Sequence, residues 1–275
     1  MTSRLLRRGT RDGRLARAES EAPDFIAVVV PARNEEACIG LCLSNLDRAR
    51  RHRALCSVDV RIIVVLDCCT DETAARTVAL LRATDRLVAI SERNVGAARR
   101  TGFAHALAMT SAPLDKVWLA TTDADSTVRS DWLARQLRWR DRGFAGVAGT
   151  IRVDSWNEQP PRARRRYRAH MSRLGTGVGH PHVYGANLAF SAAAYMAVGG
   201  MPALETGEDH ALWRKFGESG YRLAASDDNA VVTSGRSVGR APHGFASLLG
   251  QFSASPASAA TASGVGDLSR LDLTG

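Results

Sequence analysis

No stretch of this 275-residue chain strings together the roughly 20 apolar residues that a membrane-spanning helix needs. The N-terminal segment MTSRLLRRGTRDGRLARAESEAPD lacks the apolar run of a secretory signal, so the expected location is cytoplasmic. There is no Gly-x-Gly-x-x-Gly after the first apolar run and no Gly-x-x-x-x-Gly-Lys-Ser/Thr anywhere, which disfavours a dinucleotide-binding Rossmann site and a P-loop NTPase. Only five cysteines occur: Cys38, Cys42, Cys56, Cys68 and Cys69. Their spacing suggests no disulfide framework, and no histidine or further close pair completes a zinc site, so they read as small buried thiols. Lysine is almost missing. Lys116 and Lys215 are the only two among 37 basic residues, so the net charge of +9 is carried by arginine. Arginine forks suit phosphates and carboxylates, and a charge of this size implies an anionic partner without naming it.

What is present is the alternation of an α/β protein. FIAVVV (25–30) is a short apolar run ended by Pro31, the pattern of a strand buried on both faces. Asn34 is placed to cap a following helix, with Glu35 and Glu36 in its first turn. VRIIVVL (60–66), RLVAI (86–90) and KVWLATT (116–122) read as three further strands, with helices capped by Thr70 or Asp71 and by Asn94 between them. This βαβαβαβ order predicts a mostly parallel central sheet with helices on both faces. Beyond it, Ser130 is the expected cap of a helix closed by Gly143. Strands are expected over 144–153 and 182–191, with a helix starting near Glu208 and Asp209 and closing at Gly220. The expected domain is 24–252, flanked by a flexible basic arm (1–23) and a low-complexity tail (253–275).

Ligands of open α/β sheets bind outside the carboxyl ends of the strands. Four predicted strands end there in polar sequence: PARNEE, DCCTD, SERNVG and DAD. Asp123 and Asp125 therefore face the crevice. Paired carboxylates are hard oxygen ligands that suit Mg²⁺ or Mn²⁺ bridging to phosphates. An Asp-x-Asp alone is a weak signal, because such a pair also begins ordinary turns.

The order VVVPARNEE, VVLDCCTDET, RNVGAARRTGF, TTDADS, YGANLAFSAAAYMAVGG and GEDHALWRKF, over residues 25–220, resembles the family 2 glycosyltransferases of the GT-A fold. The resemblance implies a single nucleotide-diphospho-sugar transferase domain and inverting, metal-assisted transfer of one sugar from a nucleotide-diphosphate sugar to an acceptor hydroxyl. It implies a nucleotide pocket lined by Pro31, Asn34, Glu35, Asp67, Arg93, Gly96, Arg99 and Asp123. It also implies a Mg²⁺ or Mn²⁺ held by Asp125 and Asp123, and Asp209 as catalytic base. A late histidine, His243, could complete the metal site. Two features depart from the family pattern. Leu66-Asp67-Cys68 stands where many members carry two aspartates and a glycine, and the Gln-x-x-Arg-Trp motif of processive synthases is absent. Arg236 and Arg240, in a stretch with Gly235, Gly239 and Gly244, have the setting of a lid that clamps a diphosphate.

A nucleotidyltransferase is the alternative enzyme, disfavoured because PARNEE has no glycine. A basic nucleic-acid-binding protein is the alternative of another class. It lacks a stacking platform, since Tyr167 is the one aromatic residue in the richest arginine run, and no nucleic acid is expected. That run, Arg162–Arg173, reads either as a solvated loop or as a receiver for an anionic or lipid-linked acceptor at the inner face of a membrane.

Overall fold

The computed structural model describes residues 23–175, 177–180, 182–236 and 245–253. Its strands are β1 (Phe25–Ala32), β2 (Asp59–Asp67), β3 (Arg86–Ile90), β4 (Val117–Thr121), β5 (Ser126–Thr127), β6 (Gly146–Val153), β7 (Leu188–Ser191) and β8 (Leu223–Thr233). Its α-helices are α1 (Ile39–Arg50), α2 (Thr73–Val78), α3 (Val95–Ala108), α4 (Trp132–Arg140), α5 (Pro161–Leu174), α6 (Ala192–Ala197), α7 (Glu208–Glu218) and α8 (Phe245–Ser253). The strands form one sheet in the order β3-β2-β1-β4-β7-β6-β8-β5. The four predicted N-terminal strands are parallel, and β7 turns the sheet by pairing antiparallel with β4 and with β6.

The continuous apolar run of β1 is explained by burial on both sides. Ile26, Val28 and Val30 join the core under α1 and α4. Phe25, Ala27 and Val29 join the opposite core, which holds Phe103, Leu212 and Phe216 from α3 and α7. A strand at the centre of a two-faced sheet leaves no solvent side for polar alternation.

Several local expectations change. Asn34 does not cap α1, which begins at Ile39 after Cys38; Asn34 adopts φ +52 and accepts the Thr70 backbone N–H at 2.8 Å. Glu35 precedes the helix, and its carbonyl accepts from the Cys38 and Ile39 N–H groups. Asp131, not Ser130, is the N-cap residue of α4; its carboxylate pairs with Arg129 and Arg135 and makes no capping hydrogen bond. Residues 182–191 are a strand only from Leu188; a 3-10 turn at Gly185–Asn187 precedes it. The arginine run is not a loop but the helix α5. β8 was not expected, because Ser226-Asp227-Asp228-Asn229 in its middle reads as a turn; the strand passes that point with a register shift against β6 between Gly149 and Ile151. Of the five cysteines, all free thiols, only Cys42 is buried; Cys38, Cys68 and Cys69 are half-buried and Cys56 is exposed.

Candidate active site

The carboxyl ends of β1, β2 and β4 meet at one edge, and the loops that follow them are stitched together. The Glu35 N–H donates to Thr73 Oγ1 at 2.8 Å, and the Glu36 N–H donates to Asp71 at 3.1 Å. Asp67 is buried, and its carboxylate accepts the backbone N–H groups of Glu92, Arg93 and Asn94 at 2.7–2.9 Å. It therefore shapes the β3–α3 turn, where Arg93 takes a left-handed φ of +49. Three charge-assisted bonds to one carboxylate explain how a bulky residue is held there. Asn94 then caps α3, accepting the Ala97 N–H at 2.8 Å, as its position predicted. Pro31 does not end β1 but is its half-buried penultimate residue, the strand running on to Ala32; the Arg93 side chain is exposed, and Gly96 packs so closely on the backbone of Pro202 and Leu204 that a Cβ would collide.

The Asp-x-Asp pair lies immediately beyond β4. Both carboxylates are engaged by arginine. Asp123 Oδ1 accepts from Arg99 at 2.5 Å, and the same guanidinium pairs with Glu208. Asp125 Oδ2 accepts from Arg236 at 3.0 Å, and that guanidinium forks onto both oxygens of Glu35 at 2.8 and 2.9 Å. Two Glu–Arg–Asp bridges thus flank the pair. Burial works against the charge of Arg99, but Asp123, Glu208 and Asp209 outweigh it and hold its pKa above the ordinary value. The same balance, with Asp125 and Glu35, raises Arg236. Burial pushes Asp125 up to about 6; Arg236 opposes this, and Asp123 and Glu35 add to it. Cys42 is buried beneath this turn, its thiol donating to the Asp123 carbonyl at 3.5 Å; burial pushes that thiol up, so it stays protonated and inert.

The other wall comes from α7. Gly207 takes φ +75 and turns the chain into the helix, so Glu208 and Asp209 occupy its first turn. Glu208 points inward to Arg99 and is buried. Asp209 is half-buried and accepts the Gly185 N–H at 2.6 Å and its neighbour His210 N–H at 2.7 Å. Gly185 lies so close over the Arg99 guanidinium that no Cβ fits. Arg99 is therefore the hinge of the arrangement: it touches Asp123 and Glu208, and lies under the residue that Asp209 binds.

The sequence-predicted residues Glu35, Arg99, Asp123, Asp125 and Asp209 are brought together. Arg99 does not stand open to a phosphate but is buried in its bridge, and Asp67 serves the β3–α3 turn. His243, Arg240, Gly239 and Gly244 lie outside the described residues. Two elements of the site were missed. Glu208 has a legible signal, the Glu-Asp pair itself. Asn187 has none; buried, it binds Trp132, Thr150 and Asn229 and fixes the turn that presents Gly185.

The family model for glycosyl transferase family 2 matches residues 27–198. The chain belongs to glycosyl transferase family 2. The matched span covers β1 through α6 and carries the Asp-x-Asp pair, Arg99 and Gly185. No curated protein sequence matches at a significant level. Solved structures with the same fold include S. aureus TarS in complex with UDP-GlcNAc, at 15% identity and TM-score 0.58 over 78% of this chain and 60% of that one. The mannosyltransferase PcManGT from Pyrobaculum calidifontis, in complex with GDP-Man and Mn²⁺, matches at 22% identity and TM-score 0.59 over 80% of this chain and 59% of that one. Glucosyl-3-phosphoglycerate synthase from Mycobacterium tuberculosis, with Mg²⁺ and UDP, matches at 21% identity and TM-score 0.52 over 78% and 72%. The chain thus spans about three fifths of the length of the first listed of these proteins. Family 2 membership does not favour the nucleotidyltransferase and nucleic-acid-binding readings. Among the described residues, no helix is long and apolar enough to cross a membrane.

Proposed function

We propose that this family 2 chain moves one sugar from a nucleoside-diphosphate sugar to an acceptor hydroxyl, with inversion at the anomeric carbon. The observation that carries the reading is the placement of two acidic pairs on separate elements, Asp123/Asp125 after β4 and Glu208/Asp209 on α7, joined through Arg99.

A divalent cation fits the donor chemistry at Asp123 and Asp125. Among the described residues no three His, Cys, Asp or Glu side chains converge on one point, so the fit is to a cation shared with a diphosphate and not to a cage of protein ligands. Mg²⁺ or Mn²⁺ held by these aspartates would supply positive charge to the departing diphosphate.

The remaining work falls to the chain's own residues. Asp209 is the base that accepts the proton of the acceptor hydroxyl as that oxygen attacks the sugar. The N–H of Gly185 fixes one of its oxygens, and the other faces its own helix N-terminus. Arg99 holds Asp123 at a set distance from α7. Arg236 neutralises Asp125 and Glu35, and its guanidinium would be at hand for a diphosphate bound at this edge.

The test is calorimetric titration of a panel of nucleoside diphosphates with Mn²⁺ and with EDTA. Binding is expected to strengthen with Mn²⁺ and to lose that dependence in Asp125→Ala. Equal affinity in Mn²⁺ and EDTA for the unaltered chain overturns the metal assignment.

A further inference from the structure

A polar cavity lies beyond the acidic edge. It occupies about 590 Å³ between the end of β6, the loop after it and one face of α5. Arg152 reaches it from β6, and Arg164 and Arg168 from α5, with Trp156, Tyr167 and Met171 as an apolar wall. All three arginines are exposed, and none has a carboxylate partner among the described residues. This is notable because two acids line the same cavity. Both are occupied by backbone: Asp154 accepts the N–H groups of Ser155 and Gly235, and Asp227 accepts the Gly177 N–H at 3.1 Å. The Tyr167 hydroxyl is buried and has no partner among the described residues.

The helix explains why the arginines converge. Its 14 residues, PRARRRYRAHMSRL, hold no acidic residue. Ala163 and Tyr167 face inward at helical spacing. Arg162 and Arg166, on the flank toward α8, are used structurally, donating to the carbonyls of Ser253 and Phe252. Arg164 and Arg168 stand four residues apart on the other flank, over the cavity. Like charges at that spacing destabilise a helix unless an anion lies between them. Two guanidinium forks facing a third across a cleft match the oxygens of a phosphate, and the aromatic wall suits the carbon skeleton that carries it.

The cavity is linked to the acidic edge. Asp154, in its wall, binds Gly235, and Gln159 donates to the carbonyls of Gly235 and Arg236, the residue that holds Asp125. Its floor residue Thr150 binds Asn187, two positions from the Gly185 that anchors Asp209.

We infer that the β6–α5 cleft is a phosphate-binding site, and that it receives the phosphate of the sugar acceptor. The second clause rests on the glycosyltransferase reading; the first does not. The phosphate could belong to a soluble ester or to a lipid headgroup presented at a surface.

The test uses the full chain and two probes: glycerol 3-phosphate by calorimetry, and co-sedimentation with phosphatidylcholine vesicles containing phosphatidylglycerol. Arg164→Gln/Arg168→Gln should weaken binding of the productive probe by about 10-fold or more. Arg152→Gln, which leaves the helix untouched, should weaken it in the same direction. Arg48→Gln/Arg76→Gln removes the same charge from α1 and α2 and should change nothing. Circular dichroism checks that each variant is folded. Saturable binding of glycerol 3-phosphate marks a soluble acceptor; binding to vesicles alone marks a lipid headgroup. Absence of binding to both probes, or an equal loss in the Arg48→Gln/Arg76→Gln control, overturns the inference. If nucleoside diphosphates fail to bind with Mn²⁺ while the phosphate site behaves as expected, the donor reading falls and the phosphate site stands.

Discussion

The two Glu–Arg–Asp bridges beside the Asp-x-Asp turn have the same composition and opposite settings. Arg99 sits inside α3, its side chain only 4% exposed, and joins two segments that both belong to the folded core. Arg236 is 20% exposed and lies just past the end of β8, on a stretch of chain secured by backbone contacts to Asp154 and Gln159. The first bridge is built as scaffold. The second lies where water reaches its cation. A buried ion pair adds little over an apolar replacement, but removing one partner leaves a charge that burial penalises heavily. The bridges therefore separate by what can replace the arginine, which differs from how strongly each pair attracts.

The largest effect is expected at Arg99. Arg99→Met strands Glu208 and Asp123 without a cation and should cost about 3–5 kcal/mol in chemical denaturation. Adding Glu208→Gln should recover part of this, and Mn²⁺ should not. At Arg236 the cost should be smaller, about 2–3 kcal/mol for Arg236→Gln, because water reaches the site. Here Mn²⁺ should restore melting temperature, since a divalent cation meets the same carboxylates. A Mn²⁺ response in Arg99→Met, or none in Arg236→Gln, erases the distinction between the bridges. Gly185→Ala forces a methyl group onto the Arg99 guanidinium, and overpacking of this kind costs about 2 kcal/mol. It should also lower turnover, because Gly185 positions Asp209.

The smallest effect belongs to the same chemistry at the surface. The hydrogen bond from Arg129, aided by Arg135, lowers Asp131 to about 2. Because the folded value lies below the unfolded one, the stabilisation is complete above pH 4 and disappears as pH falls through 2. Solvent screening holds it to about 1 kcal/mol, so Asp131→Asn should cost about that much at pH 7 and almost nothing at pH 2.

The contrast also explains what the sequence disclosed. β1, β2 and β4 were legible because burial on both faces demands unbroken apolar runs. The Asp-x-Asp pair was legible from the strand that leads into it. The partners of these acids were not. Glu35 and Arg236 are separated by 201 positions, and no local pattern links them. Arg99 reads as a phosphate-facing residue until the fold places Glu208 against it. β8 was hidden by the polar run Ser226–Asn229, where the register shift lets the strand carry turn-like residues. α5 was hidden by charge, although Ala163 and Tyr167, four residues apart, carried a helical signal too short to stand out from six arginines.

The central claim is that Asp209 takes the acceptor's proton while the Asp-x-Asp turn, braced by Arg99, holds the donor. The direct measurement is turnover and product stereochemistry of Asp209→Asn, assayed with the donor selected by the nucleotide panel. The asparagine keeps the contact to the Gly185 N–H but removes the basic oxygen. The account predicts a fall in kcat of about 10²- to 10⁴-fold with donor affinity nearly unchanged, and a product of inverted anomeric configuration from the unaltered enzyme. A near-normal kcat in Asp209→Asn, or a product that retains the donor's configuration by NMR, would contradict it.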